Sequence, residues 1–220
     1  MENDIRVITM ESHTEDREGV SPNIGAAYEI TVFDKDGKVK QVVKDDAKCY
    51  VQNFLRMIKS FMLNGRDMYQ RTFPIPSNFK NLSGSIVLSY GISGDDVVGG
   101  FLANAIAGDI TKGIVVGTDL NAVIADDFKL GNIITHGNGS GNLFYDQVAF
   151  QKLPPDGSKI VIIVSRMVNN NTADPVSFSE IGLYQLGVIT IMTLRDVVSP
   201  AITLSSGESA LIAYKLIING

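Results

Sequence analysis

Residues 135–146, THGNGSGNLFYD, combine a histidine with three glycines on alternating positions, residue types that could bind phosphate or move protons. A phosphate-binding loop leads into a helix and usually carries a lysine followed by serine or threonine. Gly141 is followed instead by the strand-like residues NLFY, and no lysine occurs before Lys152. Alternating glycines before a strand fit a connection with positive φ angles. The pattern therefore favours a tight corner.

The metal-binding residue types are too few and too far apart to predict a metal site. His13 and His136 are the two histidines, and Cys49 is the single cysteine. A zinc site needs three or four ligands, and a lone cysteine excludes an intrachain disulfide. We predict that His136 is a hydrogen-bonded structural residue and that Cys49 is buried in a helix.

The sequence DKDG at 34–37 resembles the start of a calcium loop. Such a loop needs Asp or Asn at position five and Glu at position twelve. Those positions hold Lys38 and Asp45, so the spacing predicts a hairpin turn.

No arrangement of residues predicts an enzyme. The carboxylate pairs Asp95-Asp96 and Asp126-Asp127 are adjacent, and strand neighbours point to opposite faces. We expect Asp126 or Asp127 to cap a brief helical turn over residues 126–130. Ser140 has glycines at positions −1 and +1, whereas a GxSxG elbow needs them at −2 and +2. We therefore assign no catalytic, cofactor-binding or metal-binding residue, and we expect no cofactor.

Three charged residues interrupt apolar strand patterns: Glu180 in SEIGLY, and Arg195 with Asp196 in LRDVV. A charge within a strand must face water or be paired. Pairing across strands, contact with a neighbouring subunit and simple solvent exposure all remain open from the sequence.

Composition and charge limit the classes of partner. The chain has 220 residues, is 45% hydrophobic and carries a net charge of −5, which argues against a nucleic-acid surface. Its longest apolar run, 160–164, is far shorter than the ~20 residues of a membrane-spanning helix. The acidic N-terminus lacks the pattern of a signal peptide, so we expect synthesis in a reducing cytoplasm.

The pattern of elements predicts a mainly β protein, an antiparallel β-sandwich of jelly-roll-like type with one packed amphipathic helix. Residues 1–25 are expected to form an extended or mobile arm, and 26–220 a single domain. Within that domain we predict a hairpin and helix at 26–65, an irregular glycine-rich excursion at 66–112 with one strand at 86–90, and sandwich strands at 113–220, among them 113–117, 142–151 and 158–168. Asp45 or Asp46 is the predicted helix N-cap, and Asn64-Gly65 its C-terminal stop.

Several motifs resemble those of structural proteins of tailed bacteriophages. The similarity lies in GIVVGT, DDFKL, IITHGNGSGNLFYD, SEIGLY and TLRDVVSP, together with GESALIAYKLII near the C-terminus. Residues 1–25 and 66–109 lie outside it. The resemblance implies a non-enzymatic virion component of the tail, collar, fibre or capsid-accessory kind, made in the host bacterial cytoplasm and located in the virion. It supplies no catalytic residues.

The expected partners are copies of the chain itself, as a homo-oligomer, and other virion structural proteins, without direct nucleic-acid or membrane contact. The alternative is a receptor- or glycan-binding module of a phage fibre. Sugar sites stack ligands on exposed aromatic rings. The chain has no tryptophan, and Phe144, Tyr145, Phe178 and Tyr184 fall in predicted core strands.

Overall fold

The computed structural model describes residues 23–47, 50–63, 77–89, 102–157, 159–186 and 189–219. Within them the chain forms antiparallel sheets and one short helix, in a β-sandwich-like arrangement. The predicted fold class, mainly β with a single packed helix, is confirmed. No helix in these ranges is long and apolar enough to cross a membrane.

The elements follow one another as eleven strands and one helix in the described residues. In chain order they are β1 (Asn23–Phe33), β2 (Val39–Asp46), α1 (Gln52–Leu63), β3 (Ser77–Lys80), β4 (Ile86–Ser89), β5 (Gly113–Gly117), β6 (Phe144–Tyr145), β7 (Ala149–Lys152), β8 (Lys159–Asn169), β9 (Val176–Leu186), β10 (Thr190–Leu204) and β11 (Ser209–Asn219).

Two main sheets contain most of these strands. The larger has six strands in the order β2-β1-β11-β8-β6, with β7 also paired to β8, and the smaller has the order β10-β9-β5. Strands β3 and β4 form a separate hairpin. Every pairing between named strands is antiparallel, which hairpins and short loops can connect without crossover helices.

A single hydrophobic core contains residues of both main sheets. In β1 the alternate residues Tyr28, Ile30 and Val32 are buried, as period-two patterning predicts. Ile212 and Tyr214 of β11 pair with Ile30 and Tyr28 and are also buried. The smaller sheet differs, because neighbouring residues of β5 and β9 are buried on both faces. Another part of the chain must therefore pack on the second face of the smaller sheet.

The helix is confirmed, but its start is not where the sequence predicted. Asp45 and Asp46, the predicted N-caps, lie in β2, and α1 begins at Gln52. The main-chain pairing of β2 with β1 continues through Asp46, so strand pairing outweighs the local capping preference. The predicted stop at Asn64-Gly65 lies outside the described residues.

The buried Asn53 attaches the helix to the β3–β4 hairpin. Its side chain donates to the carbonyl oxygen of Lys80 (2.7 Å) and accepts from the N–H of Lys80 (2.9 Å). The amide therefore imitates a neighbouring strand. This hairpin lies inside the glycine-rich segment 66–112. Strand β4 confirms the strand predicted at 86–90, whereas β3 falls where an irregular chain was expected.

Three further boundaries differ from expectation. Strand β1 starts at Asn23, inside the predicted arm, whose residues 1–22 are outside the described chain. The predicted strand 142–151 is divided into β6 and β7. Residues 126–130 contain turns and no helix, so the predicted helical turn is wrong. Asp127 accepts hydrogen bonds that hold this segment in another conformation.

Candidate functional site

An irregular segment, residues 118–134, packs against the smaller sheet and buries the second face of β9. Leu130 contacts the backbone of Gly182, where a Cβ atom would lie 2.9 Å from its Cδ2. The N–H of Leu130 donates to the hydroxyl of Tyr184 at 2.8 Å. The segment also extends the sheet past β5, because the N–H of Ile134 donates to the Val116 carbonyl. We call residues 118–134 the covering segment.

Glu180 on β9 organises the covering segment from beneath. Its side chain is fully buried, and it accepts main-chain N–H groups from Asp119 (3.2 Å), Asn132 (3.1 Å) and Gly131 (3.2 Å). A buried carboxylate needs partners of this kind because its desolvation is otherwise unfavourable. One side chain therefore fixes two separate parts of an irregular backbone.

Arg195 on β10 completes an ionic network with Glu180. The side chain of Arg195 is only 3% exposed. Its guanidinium donates to Glu180 Oε2 (3.1 Å), Asp127 Oδ2 (2.9 Å) and Asp119 Oδ2 (3.2 Å). It also donates to the carbonyl of Asn121 at 3.3 Å. We call Glu180, Arg195, Asp119 and Asp127 the ionic network.

The surroundings of Arg195 and Asp119 favour the charged form of each of these two groups. Burial alone would lower the pKa of Arg195, but the hydrogen bonds to Asp127 and Glu180 outweigh burial and raise that pKa. The N–H of Asn121, together with Arg195, lowers the pKa of Asp119. Both shifts stabilise the ion pairs at neutral pH.

The carboxylates of the network are already committed to protein donors. Glu180 uses both oxygens, and Asp119 accepts from Asn121 through Oδ1 and from Arg195 through Oδ2. Nowhere in the described ranges do three or more His, Cys, Asp or Glu residues form a metal-binding group. The geometry is that of a structural clamp. Of the alternatives that the sequence left open for Glu180 and Arg195, the structure shows pairing across strands.

Two glycines make room for the ionic network. A Cβ atom at Gly117 would collide with Glu180 Oε1 and lie 2.6 Å from the carbonyl oxygen of Asn132. A Cβ at Gly131 would collide with the carboxylate of Asp119. At these two positions the absence of a side chain, and not an unusual φ angle, is the requirement.

Asp196, the third of the interrupting charges, is also buried. It accepts a hydrogen bond from the Tyr214 hydroxyl at 3.0 Å. Tyr214 is on β11 of the larger sheet, so this contact joins the two sheets through the core.

Arg166 on β8 is a second buried cation, and the sequence analysis did not single it out. Its guanidinium donates to carbonyl oxygens, with the shortest bonds to Asp146 and Asp109 (2.7 Å each), and it lies 4.9 Å from the centre of the Tyr145 ring. It also donates to the carbonyl oxygens of Ile106, Lys112 and Ile114. Burial lowers the pKa of Arg166. The available signal was the same as for Arg195, a lone charge inside an apolar strand.

The glycine corner 135–146 is a turn, as predicted. The N–H of Gly137 donates to the Leu143 carbonyl at 3.1 Å, and Gly137 and Gly141 have φ angles of 148° and 79°. His136 Nδ1 accepts the N–H of Tyr145 at 3.2 Å, and its ring packs on Phe144 at 4.7 Å between centres. The prediction that His136 is hydrogen-bonded within the fold is confirmed.

The remaining sequence candidates are not brought together. Asp34 closes the hairpin turn by accepting the N–H groups of Asp36 and Lys38, and Ser140 donates to Asp174 on the surface. Asp126 pairs with Lys80 at 2.6 Å. Cys49, His13 and Asp95-Asp96 lie outside the described residues.

The chain was compared with protein-family models, with curated proteins and with solved structures, and no match was found.

Proposed function

We propose that this chain is a non-enzymatic structural component of a bacteriophage virion, of the tail, collar, fibre or capsid-accessory kind. It works by homo-oligomeric assembly and by contact with neighbouring virion proteins. The resemblance of its motifs to structural proteins of tailed phages supplies the class of protein.

One observation carries the proposal: the residues of those motifs form buried contacts and turns that hold the fold together. Gly117 accommodates the ionic network, Glu180 and Arg195 form it, and Tyr145 donates through its hydroxyl to the Ile134 carbonyl at 2.8 Å. In an enzyme family, shared motifs commonly surround an accessible reaction centre. Because the residues of these motifs form buried contacts and turns, they support a structural role for the protein.

The exposed apolar side chains are consistent with an assembling protein. Ile106, Leu120, Leu55 and Ile124 are 71%, 67%, 62% and 60% exposed. Single exposed apolar residues are ordinary, but these four, together with Val39, which is also 60% exposed, offer contacts to neighbours. By contrast, Tyr145, Phe178 and Tyr184 are fully buried, so these rings are not available to stack sugars, and the fibre-tip alternative draws no support from them.

The test is mass spectrometry of purified phage particles from the genome that encodes the chain, with copy number taken from peptide intensities. We expect the chain at a stoichiometry comparable with known tail or capsid proteins, and light scattering should show an oligomer of the purified protein. Particles that lack the chain would overturn the proposal.

A further inference from the structure

The inner face of the larger sheet extends past the core at the end where β1 begins. Tyr28 of β1 and Tyr214 of β11 lie opposite each other and are buried. Four residues nearer that end, Ile24 and Ile218 also lie opposite each other, and the period of two places them on the same face as the tyrosines. Ile24 and Ile218 are 46% and 38% exposed. The face that is covered at the tyrosines is therefore open to solvent at the isoleucines.

The open end of this face is apolar across neighbouring strands. Phe150 of β7 lies opposite Val164 of β8 and is 52% exposed. Ile160 and Ile162 of β8 are partly exposed on the same face. Contiguous apolar surface of this kind marks a contact site. We call the following residues the end patch: Ile24, Phe150, Ile160, Ile162, Leu216 and Ile218.

The end patch is too small for a stable interface between two folded proteins. Its residues are far fewer than the about 20–30 that each partner contributes to such an interface. A short segment of chain can instead bind through a few apolar anchors. The size of the end patch therefore favours a segment of chain as its occupant.

The rim of the end patch is positively charged. Lys152 lies opposite Ile162 and on the same face as the patch. Lys159 begins β8. Both lysines are exposed, and neither forms an ion pair with a described residue. Asp156, in the turn between them, leaves the rim net positive. A second copy of the patch would bring lysine against lysine, whereas an acidic segment would complement the charge.

The chain that precedes β1 contains an apolar stretch with acidic residues on both sides. Residues 5–10 read IRVITM. The charged residues of 1–22 are six acids and two arginines, namely Glu2, Asp4, Glu11, Glu15, Asp16 and Glu18 against Arg6 and Arg17. This composition matches an apolar patch with a basic rim.

The attachment point brings this stretch close to the end patch. Strand β1 starts at Asn23, directly before Ile24 of the patch. The patch extends over four adjacent strands, roughly 15 Å at the usual strand spacing. Residues 11–22, which connect the stretch to β1, can span at most about 40 Å. Residues 5–10 can therefore reach the whole patch, and their attachment gives them a high effective concentration there.

We propose that the end patch binds residues 5–10 of the same chain. Ile5, Val7 and Ile8 are the apolar anchors, and the surrounding acids lie near Lys152 and Lys159. The inference goes beyond the proposed function and does not depend on it, because the segment and the patch belong to one chain.

Paramagnetic relaxation in solution tests the occupant. In a Cys49→Ser background, Thr9→Cys carries a nitroxide label inside the stretch, and the isoleucine methyl groups of the full-length chain are observed by NMR. We expect strong broadening of the methyl signals of Ile160 and Ile218. Absence of broadening at both would overturn the inference.

The matched control keeps the label and its attachment to β1 but removes the apolar anchors by Ile5→Ser, Val7→Ser and Ile8→Ser. We expect the equilibrium constant for docking to fall at least about tenfold, and the broadening with it, because burial of three aliphatic side chains is lost. Equal broadening in the two proteins would show that the tether alone accounts for it and would overturn the inference.

A mixed sample distinguishes the segment of the same copy from that of a second copy. Spin-labelled chain without isotopes is mixed, at low concentration, with isotope-labelled chain that carries no nitroxide. We expect no broadening at Ile160 and Ile218 in this mixture. Broadening as strong as in the first experiment would place a second copy's segment in the patch and would overturn the assignment to the same chain.

Reversal of the rim charge supplies a further readout. Lys152→Glu with Lys159→Glu should lower the docking constant several-fold and reduce the broadening at Ile218, because the acids then meet like charges. Lys35→Glu with Lys38→Glu makes the same change in the β1–β2 turn, at the other end of β1, and should leave the broadening unchanged. Equal effects of the two double variants would overturn the role of the basic rim.

Discussion

The ionic network under the covering segment and the charged edge at β2 are both built from ion pairs between basic and acidic side chains. The two regions differ in how deeply those pairs are buried. In the network, Arg195 is buried among three carboxylates, and each carboxylate also holds a main-chain N–H. At the edge, Lys44 and Lys215 share Glu29 on a partly exposed surface. Burial makes the first group indispensable to the local backbone, whereas water can replace the partners of the second.

Removal of the buried cation should have the largest effect on stability. Arg195→Met keeps most of the side-chain volume but leaves Glu180 without its counter-charge. We expect a loss of about 3–5 kcal/mol in the free energy of unfolding, measured by urea denaturation. Lys44→Met is the matched control at the edge and should change stability by less than about 1 kcal/mol. Similar losses for both variants would contradict the contrast between the regions.

A methyl group placed into the network should have the next largest effect. Gly117→Ala forces a Cβ atom against Glu180 and the Asn132 carbonyl, and overpacking of this kind costs about 1–3 kcal/mol. Gly25→Ala on β1 is the control, because nothing lies within 4 Å of its added Cβ. Thermal unfolding should show a lower Tm for the first variant only. An unchanged Tm for Gly117→Ala would mean that the network is loosely packed.

Acid should destabilise the protein below about pH 4. The pKa of Asp119 is lowered by the N–H of Asn121, and the pKa of Glu29 is lowered by Lys215. A carboxylate with a depressed folded-state pKa contributes stability above its unfolded pKa, about 3.9 for Asp and 4.3 for Glu, and that stability is lost as the pH falls through the folded value. Urea midpoints should be similar at pH 7 and pH 5 and clearly lower at pH 3. A midpoint unchanged at pH 3 would contradict this assignment.

The smallest effect is expected at the edge. Glu29→Gln removes the acid that Lys44 and Lys215 share, and stability at pH 7 should fall by at most about 1 kcal/mol, because the pairs are partly exposed. Salt at 1 M should erase even that difference, whereas it should not rescue Arg195→Met. A loss of stability in Glu29→Gln that persists in 1 M salt would contradict the contrast between the two regions.

The sequence predicted the parts of the fold that depend on local pattern. From the DKDG turn the sequence predicted the hairpin of β1 and β2, and it predicted strands where β5 and β8 lie. It misplaced the start of α1, because the pairing that extends β2 through Asp46 is a contact between strands and not a property of the segment itself.

The ionic network could be suspected from the sequence but not assembled. Glu180 and Arg195 stood out as charges inside apolar strands, yet Arg195 reaches Asp119, which is 76 residues away in the chain. Nothing local to Asp119 or Asp127 distinguishes a network carboxylate from a turn residue. Arg166 has the same signal as Arg195, and only its ring of carbonyl acceptors explains why it needs no carboxylate.

Native-state hydrogen exchange gives the most direct test that the covering segment is a stable part of the fold, held in place by Glu180. The informative amides are those that donate to Glu180, namely Asp119, Gly131 and Asn132. We predict that they exchange as slowly as the amides of β9, through global unfolding only, although they lie outside regular secondary structure. Fast exchange at these three positions, while β9 stays protected, would contradict the account.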